Sequence, residues 1–397
     1  MVQVLSAAAA AAASRVMDTY TEGPSPQIPG MVYCAVNKDG DVVFSHASGK
    51  KGLNDGVAMT TDTIFWMASY TKLITSIACM QLVEQGILKL DDSSQLESFA
   101  PELKAVKVLR HDGHGGFLLE EKDRRITLRM LLNHTAGFGY AFEDLKLRDW
   151  SRPIGIDDFS GNRADVLYGP LVNQPGTKFQ YGVSMDWVGI IVERATDSSL
   201  EKYFQKCILG PLDIHSITFF PSEEMKESLA HMHSRAPDGN LTTRDHLYRY
   251  PLLPRSPGED PFCMGGGGCF GKPTEYCRII ATLLNNGVSP DTEAKILEPE
   301  TVEEMFTDQI PAIPRYCNEG TPSGKPDLAK PCPIVPCADD LTEGWGLSFS
   351  LSHSKSATGR AAGSGSWEGV ANLFWFADKD NGVGGVIASQ ILPYGGM

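Results

Sequence analysis

No apolar stretch of the 397 residues approaches the roughly 20 that a membrane-spanning helix requires, which speaks against a transmembrane role. Basic residues are scarce: 35 stand against 49 acidic ones, for a net charge of −14. That balance repels nucleic-acid backbones and anionic lipid, so neither is expected as a partner. The nine cysteines are odd in number and contain no Cys-x-x-Cys pair, which points to a reducing compartment. Most lie in apolar stretches, where a thiol packs as a small hydrophobe. Only Cys317, Cys332 and Cys337 share an irregular segment in which one surface disulfide could form. No internal repeat of 20–50 residues is visible.

What is present describes an ordinary folded chain. Apolar residues make up 42% and charged residues 21%. The length suggests two or three units of roughly 150 residues and a core large enough to dispense with disulfide or metal staples. Seven alanines at 7–13 imitate the apolar core of a signal peptide, but no basic residue precedes them. Val2, Leu5, Ala9, Ala12, Val16 and Tyr20 instead recur at helical spacing, so residues 2–22 are predicted as a first helix and the protein as cytoplasmic.

Strand patterns follow at 30–36 and 42–46, flanking the turn Asn37-Lys38-Asp39-Gly40. An apolar helix is predicted at 71–85, closed by Gly86. Helical patterns dominate 90–270, among them segments starting at 126 and spanning 185–195. The last third returns to a helix at 274–285 and strands at about 343–351, 370–377 and 383–391. This order predicts an α/β fold: an antiparallel sheet from both chain ends (1–89 and 270–397), flanked by helices, with a mostly helical insert at 90–269. Residues 309–339, with seven prolines and three cysteines, read as a surface insertion, either a lid or a solvated loop.

Three elements carry chemistry. Ser69-Tyr70-Thr71-Lys72 opens the apolar helix, and serine and lysine three apart share one helix face. The helix start offers amide donors to an oxyanion at the serine. A lysine buried there loses pKa and becomes a base. Alone, the pair also fits a capping serine and a surface lysine. Phe179-Gln180-Tyr181-Gly182-Val183-Ser184, after Pro175-Gly176, supplies a tyrosine able to relay protons, or a capped core tyrosine. Gly365-Ser366-Trp367-Glu368-Gly369-Val370 leads into an apolar strand. The Val370 amide could complete an oxyanion hole with that of Ser69, although glycine-rich strand starts are common.

Weaker signals are set aside. Gly266-Gly267-Gly268-Cys269-Phe270-Gly271 matches a dinucleotide pattern but follows a loop instead of a strand. His231-Met232-His233 lacks a third metal ligand at useful spacing. No Gly-x-Ser-x-Gly occurs, which counts against an α/β-hydrolase.

In order and spacing, the three elements resemble the serine β-lactamase and penicillin-binding-protein superfamily. Within it the chain is similar to the family VIII carboxylesterases and the fungal statin side-chain acyltransferases. Support comes from Ile126-Thr127-Leu128-Arg129-Met130-Leu131-Leu132-Asn133-His134-Thr135-Ala136-Gly137, Gly265-Gly266-Gly267-Gly268 and Gly344-Trp345-Gly346-Leu347-Ser348. Gln27-Ile28-Pro29-Gly30 and the alanine-rich start resemble the acyltransferases in particular. The resemblance implies Ser69 as nucleophile, Lys72 as base, Tyr181 as proton relay, and Trp367, Gly369 and Val370 as oxyanion and substrate contacts. It implies His134 as a structural residue and the glycine run as pocket wall. Val183 stands where the lactamases carry a hydrogen-bonding residue, and Trp367-Glu368-Gly369 replaces their Lys-Thr-Gly, which removes an anchor for a substrate carboxylate. The expected activity is acyl transfer through acyl-serine in secondary, polyketide-type metabolism. A small-molecule donor, ester or carrier-bound thioester, and a small-molecule acceptor are expected, with no cofactor and no metal. A plain carboxylesterase or lactone hydrolase, or a non-catalytic binding protein, are the alternatives.

Overall fold

The computed structural model describes residues 5–254, 261–313, 315–316, 323–331 and 341–396. Its main sheet consists of β1 (Gly30–Asn37), β2 (Val42–Gly49), β3 (Arg315–Tyr316), β4 (Thr342–Trp345), β5 (Ser350–Ser352), β6 (Gly365–Gly369), β7 (Leu373–Asp378) and β8 (Val383–Ala388). The spatial order is β2-β1-β8-β7-β6-β5-β4-β3, antiparallel at every pairing. Both parts of the chain meet inside the sheet, where Val32 lies opposite Ala388 and Asn37 opposite Val383.

Local chemistry explains the first hairpin. The Asn37 side-chain oxygen accepts from the amides of Asp39 (3.0 Å) and Asp41 (2.9 Å), and Gly40 takes φ +86°. β1 is apolar at nearly every position because both of its faces are covered. Val32, Cys34 and Val36 join the main core, whereas Met31 and Ala35 pack with Phe44 and with Met17 of helix α1 (Ala7–Thr21). Ser6 caps α1 by accepting from the Ala9 amide at 3.2 Å, so the helix begins at Ala7, five residues inside the predicted start.

Four further helices matter for the site: α2 (Thr71–Glu84), α3 (Leu128–Leu132), α4 (Ser184–Thr196) and α5 (Pro273–Leu284). Helix α5 packs on β1, β7 and β8. It lies so close that a Cβ at Gly384 would stand 2.4 Å from the Ile280 side chain. Every residue of α2 from Thr71 to Leu82 is buried, and α4 packs against it. Past the last turn of α2, Gly86 turns the chain at φ +70°.

Several expected boundaries shift. The strand expected at 343–351 is two strands, β4 and β5, separated by a turn in which the Gly346 amide donates to the Phe349 carbonyl (2.8 Å) and Ser348 adopts φ +87°. The strand expected at 370–377 begins only at Leu373, because Asn372 turns the chain at φ +60°. Residues 365–369 are themselves strand β6, so Val370 lies in the β6–β7 turn. The middle of the chain also holds strands, too short for their alternation to register. One hairpin joins Val108–His111 to Phe117–Glu120, and another joins Met232–Arg235 to Leu241–Arg244. The second is extended in parallel by Ile391–Leu392.

The 309–339 segment contributes edge strand β3, while most of its remainder, with Cys317, Cys332 and Cys337, lies outside the described residues. Cys34, Cys79, Cys269 and Cys277 are buried thiols. Among the described residues, no helix is long and apolar enough to cross a membrane.

Candidate active site

Ser69 sits in a 3-10 turn, Ala68–Tyr70, that runs directly into α2. Ala68 holds φ +46°, a left-handed conformation that costs a residue with a Cβ roughly 1–2 kcal/mol. The surroundings hold it there. The Met67 amide donates to the Cys269 carbonyl (2.8 Å), and the Thr71 hydroxyl donates to the Ala68 carbonyl (2.8 Å) while accepting from the Cys269 amide (3.0 Å). The Tyr276 hydroxyl adds a bond to the Tyr70 carbonyl at 2.9 Å. Strain that is over-determined in this way clusters at functional sites.

One turn along, Lys72 is 0% exposed. Its Nζ donates to Ser69 Oγ (3.0 Å), the Tyr140 hydroxyl (3.1 Å) and the Gly266 carbonyl (2.6 Å). Burial pulls this amine down from the ordinary lysine range to about 7, with Asp186 and Glu143 opposing the shift by favouring the ammonium. The glycine run forms the floor beneath it. Thr75 donates to the Gly265 carbonyl (2.7 Å) and the Trp66 indole to the Gly267 carbonyl (2.8 Å). A Cβ at Gly266 would stand 2.6 Å from Asp186 Oδ2, so a side chain there would displace the carboxyl. The Gly266 amide donates to Asp186 Oδ1 at 2.8 Å, while Oδ2 has no partner. Burial raises this carboxyl to about 6.

Tyr181 closes the cluster from above. Its hydroxyl donates to Ser69 Oγ at 2.8 Å and accepts from the Trp367 indole at 3.0 Å. Burial pushes the phenol upward, so it stays protonated at neutral pH. Trp367 in turn stacks edge-on against Trp345, with centroids 4.5 Å apart. His134, at φ +56°, presses against Tyr181 and Trp345 with both ring nitrogens buried and unpartnered. Burial keeps that ring neutral. The end of β6 approaches the serine turn: a Cβ at Gly369 would lie 3.3 Å from the Met67 carbonyl. Glu368, between Trp367 and Gly369, accepts a short hydrogen bond from the Tyr394 hydroxyl, and burial raises its carboxyl to about 7.

Ser69, Lys72, Tyr181 and Trp367 are thus joined by hydrogen bonds, with Gly369 and Val370 at the adjoining strand end. Two partners of Lys72 escaped sequence reasoning. Tyr140 lies 68 residues from Lys72, so no local spacing links them. It follows directly on the recognised 126–137 stretch, in Gly137-Phe138-Gly139-Tyr140. Asp186 had a clearer signal, a lone carboxyl in the apolar opening of α4. Val183 and Ser184 do not serve Lys72: Val183 is apolar and buried, and Ser184 Oγ has no partner. The Tyr140 hydroxyl is the third group on the lysine instead. His233 accepts from the Leu53 amide (3.3 Å), and His231 pairs with Asp55 (3.5 Å). No three His, Cys, Asp or Glu side chains among the described residues form a metal-binding group.

Sheet, flanking helices and cluster together describe a serine-type enzyme of the β-lactamase-like class. More particularly, the Beta-lactamase family model matches residues 10–396, and the chain belongs to that family. It is 30% identical to monacolin J acid methylbutanoyltransferase of Aspergillus terreus, over 99% of this chain and 94% of the relative. It is 32% identical to lovastatin esterase of Penicillium rubens, over 93% and 91%. The solved structure of unliganded simvastatin synthase from Aspergillus terreus superposes with a TM-score of 0.75 at 28% identity, covering 93% of this chain and 90% of that one.

Proposed function

We propose that this protein transfers a small acyl group from an ester or thioester donor, carrier-bound thioesters included, through acyl-Ser69 to an organic alcohol, in secondary metabolism of the polyketide type. The observation that carries this reading is the buried Lys72, whose amine near pKa 7 lies 3.0 Å from Ser69 Oγ. A neutral amine accepts the serine proton as Oγ attacks the donor carbonyl. The Ser69 and Val370 amides hold the oxyanion. The proton returns through the Tyr181 hydroxyl to the leaving oxygen or sulfur as its bond to the acyl carbon breaks. Tyr181 acts as a relay and Lys72 as the base, because burial disfavours the phenolate of the one and favours the neutral amine of the other. In the second half the acceptor hydroxyl gives its proton to the same pair, its oxygen bonds to the acyl carbon, and Ser69 Oγ leaves and is reprotonated. The statin-related acyltransferase and synthase relatives support transfer as the natural outcome.

A second reading, plain ester hydrolysis, is favoured by the lovastatin esterase relative and by Trp367-Glu368-Gly369, which resembles the esterase motif. One acyl ester supplied with and without alcohols, both products followed by mass, separates the two. Transfer predicts acyl-Ser69 that decays faster with alcohol and yields the new ester. Decay at one rate whatever the alcohol, with only free acid formed, identifies a hydrolase.

A further inference from the structure

The chain leaving α3 braces the proton relay. The His134 carbonyl accepts from the Gln180 amide at 2.7 Å, which fixes the backbone immediately before Tyr181. The Leu132 carbonyl accepts from the Trp345 indole at 3.3 Å. The His134 side chain is 0% exposed. Its ring centroid stands 4.9 Å from that of Tyr181, 5.4 Å from that of Trp345 and 5.9 Å from that of Phe179. It thus sits in a cage of aromatic rings, and neither of its nitrogens has a hydrogen-bond partner among the described residues. Its backbone is left-handed at φ +56°, a conformation that histidine tolerates better than most residues.

A ring that only filled space here would be more stable as an apolar one, because a buried polar group without a partner is destabilising. A neutral imidazole always carries one N–H. With no oxygen or nitrogen to receive it, the π faces of the cage are the remaining acceptors. The contact with Trp345 is nearly perpendicular, at 85°, the geometry in which a ring edge meets a ring face. We infer that His134 is a positioning residue for the proton relay: its N–H donates into this aromatic cage and holds Trp345, and through it Trp367 and Tyr181, in register with Ser69. The chain of contacts is continuous. Trp345 packs edge-on against Trp367, the Trp367 indole donates to the Tyr181 hydroxyl at 3.0 Å, and that hydroxyl donates to Ser69 Oγ at 2.8 Å. Held in this way, Tyr181 passes on the proton that left Ser69 as the leaving oxygen parts from the acyl carbon. The role rests on the acyl-transfer reading, which it deepens, and His134 acts through Tyr181 instead of on the substrate.

The test uses two butyryl donors that differ in their need for that proton. p-Nitrophenolate leaves p-nitrophenyl butyrate as an anion, whereas the ethoxide of ethyl butyrate must be protonated. Both give the same butyryl-Ser69, so the ratio of their kcat/KM values reports acylation. His134→Phe keeps a ring and removes the N–H. It should lower kcat/KM for ethyl butyrate about fivefold to tenfold more than for p-nitrophenyl butyrate, the worth of one displaced hydrogen bond. His134→Gln, which restores a donor, should recover part of that ratio, and His134→Met, of matching length without a donor, should not. The Gln and Met variants decide the matter alone if the Phe variant does not fold. A residue that only fills space would affect both esters together. A ratio unchanged from wild type in His134→Phe, or equal in the Gln and Met variants, overturns the role of His134. Tyr181→Phe separates this from failure of the wider reading: a wild-type ratio in that variant overturns Tyr181 as the relay, and absence of butyryl-Ser69 by intact mass overturns acyl transfer itself.

Discussion

Replacing Asp186 by asparagine changes one buried charge and leaves the shape of the site alone. Asp186 Oδ1 accepts from the Gly266 amide, and the Gly266 carbonyl accepts from Lys72, so a single residue bridges the two charges. Charges bridged in this way stand roughly 7 Å apart, and at an effective dielectric near 20 they attract by about 2 kcal/mol, or somewhat over one pH unit. The asparagine oxygen keeps the Gly266 amide satisfied. The sign follows from the lysine: the carboxylate favours the ammonium, so its removal lowers the Lys72 pKa and frees the base at lower pH. Wild-type acylation should rise with pH through a midpoint near 7. In Asp186→Asn that midpoint should fall by about one unit. The assay is the pre-steady-state burst of p-nitrophenol from an acyl ester, read across pH at a wavelength insensitive to its ionisation. A midpoint that stays put or moves up would refute Lys72 as the titrating base.

Ser69→Ala and Lys72→Ala should each lower turnover by roughly 10³-fold, and the double variant should lose little more, since the two act as one unit; multiplicative losses in steady-state kinetics would contradict this. Tyr140→Phe removes one of three acceptors of the Lys72 amine and should slow acylation by roughly 10-fold to 100-fold, with the melting temperature nearly unchanged. Folded Lys72 titrates near 7 and the unfolded lysine near 10.5, so between those values the unfolded chain holds more protons and rising pH favours the fold. Denaturant titrations should therefore show wild type gaining stability over Lys72→Met as pH rises from about 7 toward 10, and losing that gain as pH falls back.

The sequence carried the parts of this fold and site that depend on near neighbours. Asn37 and Gly40 announce their hairpin, and the apolar run of α2 announces a buried helix with serine and lysine on one face. What it did not carry is long-range. Tyr140 meets Lys72 only because the 137–144 turn is folded back over α2, and no spacing encodes that. Val370 was expected at a strand start, yet the β6–β7 turn depends on Asn372 tolerating a left-handed backbone. The hairpin strands at 108–120 and 232–244 run four residues each, too short for a period of two to stand out.

The pairing of β1 with β8 sets a schedule as well as a shape. Roughly 350 residues separate Val32 from its partner Ala388. At about 5–20 residues per second, a ribosome takes roughly 20–70 s to deliver the second strand after the first. Throughout that interval β1 has β2 on one edge and nothing on the other, with apolar side chains on both faces. Contacts of such separation close late and slowly. The seam between β1 and β8, one strand in from the β2 edge, is thus sewn late, and the newborn chain depends on α1 and β2 to keep β1 from pairing elsewhere.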